Sequence, residues 1–301
     1  MKMMKKFLAF AAVATMFAAC SQNDELVLQD KDTPIAIATA GVNDLVASRT
    51  EPSLLTSGSL GLYVTGDDLA DQYKATNLQW EYKNGWTNVG GQQLLFAGAD
   101  KQSAYAYHPY AEGTYSEGAY SEGAYSEGAY SEGFTTDGAT DLLWWKSEST
   151  LSAASFNIPF THALSLLTIN LKRGTNVTED ITGVTVGGTV VTAIPNFAGQ
   201  TWIVANDAAA ADLTATVATT ASGMDATYTV LLIPQTASAL KITITADGNR
   251  TFIYTHTGDQ TFTAGTAYTL EITVGADDVD AGEITPESWT PVTPSDNLVT
   301  E

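Results

Sequence analysis

Leu240-Lys241-Ile242-Thr243-Ile244-Thr245-Ala246 and Tyr268-Thr269-Leu270-Glu271-Ile272-Thr273-Val274 decide the fold class. In the first, Leu240, Ile242 and Ile244 alternate with Lys241, Thr243 and Thr245; in the second, Tyr268, Leu270, Ile272 and Val274 alternate with Thr269, Glu271 and Thr273. Successive side chains of a strand point to opposite faces, so each segment buries one face and wets the other, whereas a helix would scatter the same residues around its circumference. Threonine occurs 43 times, and β-branched side chains suit a pleated surface better than a helix.

The same reading extends outward. Ile181 to Val186, Thr189 to Ile194, Trp202 to Ala205, Leu213 to Val217, Tyr228 to Pro234 and Asn249 to Tyr254 read as strands, with Gly187-Gly188 as a break. Toward the N-terminus the expected strands are Leu60 to Thr65, Leu78 to Tyr82, Leu94 to Phe96, Ser103 to Tyr107, Leu142 to Trp145, Phe156 to Phe160 and Leu164 to Leu171. Lys83-Asn84-Gly85 before Trp86 is a hairpin signal, and proline stops a strand at His108-Pro109. Short strands between Gly, Asn and Asp turns, with no convincing amphipathic helix, predict an all-β chain built of β-sandwiches, divided near Leu171 to Glu179.

The 301 residues suffice for two domains and a sizeable core. Thirteen Lys and Arg against 34 Asp and Glu give a formal charge of −21, which repels a phosphate backbone and excludes nucleic acid as a partner. The chain has one cysteine, so no disulfide framework holds it.

That cysteine stands in a telling place. A basic start, Met1 to Lys6, leads into the apolar run Phe7 to Ala19 and then Cys20. The run is too short to span a bilayer core and reads as a secretory signal, residues 1–20. Cys20 after small residues resembles a bacterial lipobox, in which the thiol is acylated and becomes the new N-terminus; several acyl chains anchor stably where one does not. Ser21 to Glu25, SQNDE, resembles the tether that sends some lipoproteins to the outer surface. Residues 112–133 are a five-residue repeat carrying Tyr115, Tyr120, Tyr125 and Tyr130; that period matches neither strand nor helix, so an exposed loop is expected.

Candidate chemistry is sparse. His108, His162 and His256 carry no partner at motif spacing, and His162, in an apolar stretch, is expected to be a hydrogen-bonded core residue. Asp277, Asp278, Asp280 and Glu283 lack the last glutamate of a calcium loop, and Asp67, Asp68 and Asp71 read as an acidic turn. The expectation is therefore a protein that is not an enzyme, with no catalytic residues, metal or cofactor.

Several segments match one pattern together: Cys20, Arg49-Thr50, Ala104-Tyr105-Ala106-Tyr107-His108-Pro109-Tyr110, Asp141-Leu142-Leu143 and Ile158-Pro159-Phe160-Thr161-His162-Ala163-Leu164. The chain resembles the fimbrillin-like lipoproteins of Gram-negative anaerobes, the type V pilus subunits. The resemblance implies two β-sandwich domains in tandem, transthyretin-like with Greek-key connections: residues 50–172, carrying the 112–133 insert, and residues 173–301, after a propeptide or linker, residues 21–49. It implies a cell-surface fimbrial subunit, or a tip or accessory adhesin, anchored in the outer membrane through Cys20. An arginine-specific protease would cut after Arg49 to leave Thr50 as the N-terminus, and other fimbrial subunits would join by strand exchange. A surface glycan-binding lipoprotein is the alternative. Stalk subunits of such fibres donate a C-terminal strand; here Pro286, Pro291 and Pro294 each lack a donor N–H, so Ile284 to Trp289 is expected instead to complete its own domain.

Overall fold

The computed structural model describes residues 31–43, 53–112, 133–175, 177–205, 208–276 and 278–289. Its strands in the first half are β1 (Ala36–Val42), β2 (Ser53–Leu54), β3 (Ser59–Thr65), β4 (Ala75–Tyr82), β5 (Trp86–Asn88), β6 (Ser103–His108), β7 (Phe134–Thr135), β8 (Leu143–Lys146) and β9 (Ser155–His162). After these come β10 (Ser165–Arg173), β11 (Ile181–Val190), β12 (Thr192–Asn196), β13 (Thr201–Ile203), β14 (Ala210–Thr214), β15 (Thr216–Val217), β16 (Ala226–Leu232) and β17 (Gln235–Ala237). The last are β18 (Lys241–Ala246), β19 (Arg250–Thr255), β20 (Gln260–Phe262), β21 (Thr266–Val274), β22 (Val279–Ala281) and β23 (Thr285–Ser288). Helix among the described residues amounts to two single 3-10 turns, Asp71–Tyr73 and Asp247–Asn249.

The all-β class expected from the alternating segments is what the chain adopts. The alternation is realised residue by residue in β18, where Ile242, Ile244 and Ala246 are buried and Lys241, Thr243 and Thr245 are half-buried. They belong to a sandwich of a sheet ordered β15-β16-β10-β21-β22 and a second ordered β14-β11-β18-β19. Leu167, Ile169 and Leu171 from β10, Val230 and Leu232 from β16, and Leu270 and Ile272 from β21 meet Val184, Val186, Ile242 and Ile244 in one apolar cluster. A fully buried Leu or Ile contributes about 1.5–3 kcal/mol, so this cluster dominates the stability of the second half.

The break expected at Gly187-Gly188 is instead a bulge inside the continuous strand β11. Val186 pairs with Leu213 and Thr189 with Ala211, so β11 carries one extra residue there. Gly188 sits at φ 80°, and a Cβ would collide with the Ala239 carbonyl, so glycine serves close backbone approach rather than strand termination. Asn84 and Gly85, by contrast, form the expected hairpin turn, with φ of 57° and 139° between Tyr82 and Trp86.

The first half is one continuous sheet, ordered β2-β1-β9-β8-β6-β3-β4-β5, curled until β1 lies against β5. Its concave side encloses Leu60, Leu62, Phe96, Ala106, Ile158 and Phe160. Leu94 to Phe96, expected as a strand, forms instead an isolated bridge of Leu95 with Pro34, with backbone bonds from Leu94 and Phe96 to residues 32–35. Parity then sends Tyr63, Tyr107 and Trp144 to the other face, where they pack with Leu164, Phe197 and Leu231. Tyr107 stacks on Phe197 at 4.6 Å, and Tyr63 on Tyr105 at 4.8 Å. The chain passes from the first sheet to the sandwich between His162 and Ser165, so β10 pairs with β16 and β21, ahead of the division expected near Leu171 to Glu179. Trp202 ties the crossing down by donating from Nε1 to the Ala163 carbonyl at 2.7 Å.

Candidate functional site

The first half is held shut by its N-terminal strand. β1 runs parallel to β9, from Ala36 opposite Ser155 to Val42 opposite Phe160. On its other side Gly41 and Val42 pair with Leu54 and Ser53 of β2, and Ile35 N–H donates to the Leu94 carbonyl at 2.9 Å. Gly41 is needed there, because a Cβ would lie 2.6 Å from the Ser53 carbonyl oxygen. Ile35, Ile37 and Ala40 are buried in the core, with exposures of 5%, 5% and 1%. β1 thus supplies both the backbone partner of β9 and an apolar wall. Removing it would leave unpaired N–H and C=O groups along β9 and bare the side chains of Ile158 and Phe160.

Residues 44–52, which join β1 to β2, contain Arg49 and Thr50; these two and Cys20 lie outside the described residues, as do residues 113–132 of the repeat. In sequence, Arg49 falls between β1 and β2, which are antiparallel neighbours. Among the described residues, the part N-terminal of Arg49 contributes β1 to the first sheet, together with the Pro34–Leu95 bridge.

Residues 279–288 also pair with the body of the same chain. β22 pairs with the end of β21, Val279 opposite Val274, and β23 with its start, Ser288 opposite Thr266. Gly282 N–H donating to the Glu271 carbonyl at 3.0 Å joins the two pieces into one edge. Pro286 is tolerated opposite Tyr268 because an edge strand can leave one side unpaired. Past β23, the Trp289 ring stacks on His162 at 3.8 Å with an interplanar angle of 6°. Ile284 to Trp289 completes the sandwich in cis, as the sequence led us to expect.

The histidines have structural partners. His162 Nδ1 bonds Asp141 Oδ2 at 2.5 Å. His108 Nδ1 lies 2.9 Å from the Ser59 carbonyl, and burial pushes its pKa below the ordinary value. His256 Nδ1 lies 3.1 Å from the Tyr254 hydroxyl. No group of three or more potential metal-binding side chains occurs among the described residues.

Arg173 and Arg250, the two arginines besides Arg49, are locked in strands. Arg173 bonds Asp180 at 2.7 Å and Asp225 at 3.2 Å through its guanidinium, and its N–H donates to Asp225 at 2.7 Å. Arg250 bonds Glu179 at 2.5 Å and donates to the Ala276 carbonyl. The Arg250 guanidinium holds the Glu179 carboxyl down to about 2, and the Arg173 N–H and guanidinium lower Asp225. A carboxylate lowered in the folded state stabilises above its unfolded pKa and loses that contribution as pH falls through the folded value. Arg250→Gln should therefore raise the Glu179 pKa toward the ordinary carboxylate range in an NMR titration, short of it because backbone N–H groups still bond the carboxylate, and reduce this contribution to acid sensitivity.

Residues 21–49, expected as a propeptide or linker, contain the strand β1, whose pairing with β9 the sequence does not show. Ser155, Asn157, Pro159 and Thr161 of β9 face outward, between buried Ile158 and Phe160. Asn157 and Pro159 alternate with Phe156, Ile158 and Phe160, so the period-two signal is present in the sequence.

Comparison with known proteins adds the following. A family model described as fimbrillin-like matches residues 50–289. A crystal structure of a candidate cell adhesion protein from Bacteroides ovatus shares the fold with TM-score 0.63 and 19% identity, covering 86% of this chain and 99% of that one. One from Bacteroides uniformis does so with TM-score 0.59 and 20% identity, covering 85% and 99%. A search of the curated proteins finds no match.

Proposed function

Because the chain belongs to the fimbrillin-like family, we propose that it is a fimbrial subunit of the cell surface, exported as a lipoprotein through Cys20, cut after Arg49 and joined to its neighbours by strand exchange. The family implies a structural role at a surface fimbrium rather than catalysis. The observation that carries the finer reading is β1: it lies N-terminal of Arg49, fills an apolar groove with Ile35, Ile37 and Ala40, and pairs with β9 through backbone groups that any extended strand could satisfy. Cleavage after Arg49 would let residues 21–49 leave, and a strand of a neighbouring subunit would take the vacated place. Acylated Cys20 would hold the precursor at the outer membrane, and the protease is one specific for arginine.

The tail supports a tip or accessory position over a stalk position, since β22 and β23 already pair with β21 of their own subunit. Mass spectrometry of the native surface protein tests the whole proposal. Material in fibres should begin at Thr50 and co-purify with other subunits, and the uncut precursor should carry acyl chains on Cys20. Assembled fibres that retain residues 21–49 would overturn it.

A further inference from the structure

Along the edge of β9 away from β1 lies a groove that the proposed strand exchange does not use. β8 and β9 pair only at Leu143 with His162 and Trp144 with Thr161, then splay apart. The parity of β9 accounts for the splay. The Ala154 and Phe160 carbonyls bond β1, and Ala163 N–H bonds the Leu142 carbonyl beside β8, so odd-numbered residues of β9 direct their backbone groups toward β8. Pro159 is one of these and has no N–H to give. The chain after β8 instead follows β6, with Ser147 N–H on the Ala104 carbonyl and Leu151 N–H on the Gln102 carbonyl.

Two cavities occupy the opening, of about 670 Å³ between β9 and residues 145–153 and about 630 Å³ between β9 and β23. Both are of ligand-binding size, and they share Asn43, Thr161 and Gln200, so they form one continuous groove. An aromatic pair lies at each end. Trp145 stacks on Phe156 at 5.7 Å and 15° in one, and Trp289 stacks on His162 in the other. At about 3.3 Å per residue, Phe156 to His162 separates the pairs by roughly 20 Å. The exposed side chains of Asn157 and Thr161 line the same opening from the face of β9 opposite to Phe156, with Gln200 from the turn before β13 beside them.

We propose that this groove binds a neutral oligosaccharide chain. A sugar ring presents an apolar C–H face that packs on an aromatic ring and a rim of hydroxyls that pair with amides and hydroxyls, which is what the groove offers at its ends and middle. An extended peptide fits less well, because Pro159 interrupts the ladder it would need beside β9. An anionic glycan is disfavoured by Glu148 and Glu287 in the lining and by the formal charge of −21. Trp145, Phe156, Asn157, Thr161 and Trp289 all belong to the body that remains after cleavage at Arg49, and of the residues the two cavities share only Asn43 would leave.

Titration calorimetry of the full chain with neutral gluco-, manno- and xylo-oligosaccharides of increasing length tests this. Affinity for at least one series should rise with length, and Trp145→Ala and Trp289→Ala should each weaken it about tenfold. Trp289→Ala also loosens β23, so Thr161→Arg, an exposed substitution that lays a long side chain across the groove, serves as the fold-neutral variant and should abolish binding with an unchanged melting temperature. Absence of binding to every neutral series, binding unaffected by Thr161→Arg, or preference for sulfated or sialylated chains or for an extended peptide would each overturn the assignment. None of these outcomes bears on whether fibres begin at Thr50.

Discussion

A chain that starts at Thr50 and lacks residues 21–49 should melt roughly 10 °C or more below the same chain with its leader, and recover when a peptide of residues 31–43 is added in excess. The loss follows from what β1 covers. Ile35 and Ile37 are each 5% exposed, and two such side chains contribute at least about 3 kcal/mol, before the unpaired groups of β9 are counted. At about 2–4 °C per kcal/mol for a chain of this size, the shift is readily measured. Recovery follows because a ligand that binds only the folded state stabilises it in proportion to its concentration over Kd. A peptide with Ile35→Asp and Ile37→Asp presents the same backbone without the apolar wall and should not restore stability. A truncated chain that melts with the full one would remove the structural basis for strand exchange.

An arginine-specific endoprotease acting on the native chain should cut after Arg49 and leave the rest intact, although Arg173 and Arg250 have the same chemistry. Proteases bind their substrate as a detached extended segment, so cleavage within a strand waits on local or global opening. Arg173 ends β10 opposite Val274 of β21, and Arg250 begins β19 opposite Ala246 of β18; both guanidiniums are also held by carboxylates. Opening such strands approaches global unfolding, at about 5–15 kcal/mol, which makes those sites at least about a thousandfold slower than a link between strands. Electrophoresis and mass spectrometry would show one cut and a fragment beginning at Thr50, and Arg49→Gln should abolish it. Cleavage at Arg173 or Arg250 at a comparable rate would show that the strands do not protect them.

What was legible in the sequence was what a single strand reveals about itself. Leu240 to Ala246 and Tyr268 to Val274 declared their faces by alternation, and Asn84-Gly85 declared its hairpin, because both signals are local. The parallel pairing of β1 with β9 left no trace, since parallel neighbours share no turn and their residues lie far apart in the chain. The curl that brings β1 against β5 was equally hidden, being a property of the whole sheet. Gly187-Gly188 misled because a bulge and a turn draw on the same residue; only the approach of the Ala239 carbonyl distinguishes them. Arg49 could be singled out as a rare basic residue before the first strand of the body, but what its cleavage would release depends on a pairing the sequence does not show. The groove was concealed in another way. Its middle is made of ordinary outward residues, Asn157 and Thr161, and Pro159 reads as a mere interruption until the departure of β8 gives it a purpose.

The aromatic layer between the curled sheet and the sandwich has a mechanical consequence. In a fibre joined as proposed, tension would pass through the body of each subunit. Here the covalent route between the halves narrows to the few residues from His162 to Ser165, but Tyr63, Tyr107, Trp144, Phe197 and Leu231 pack around it, and the short ladder of β7 with β12 bridges the same gap. Such close-packed contacts are stiff against bending. A row of these links would flex at the joints between subunits and not within them, so a pull at the far end would arrive at the cell wall almost undiminished.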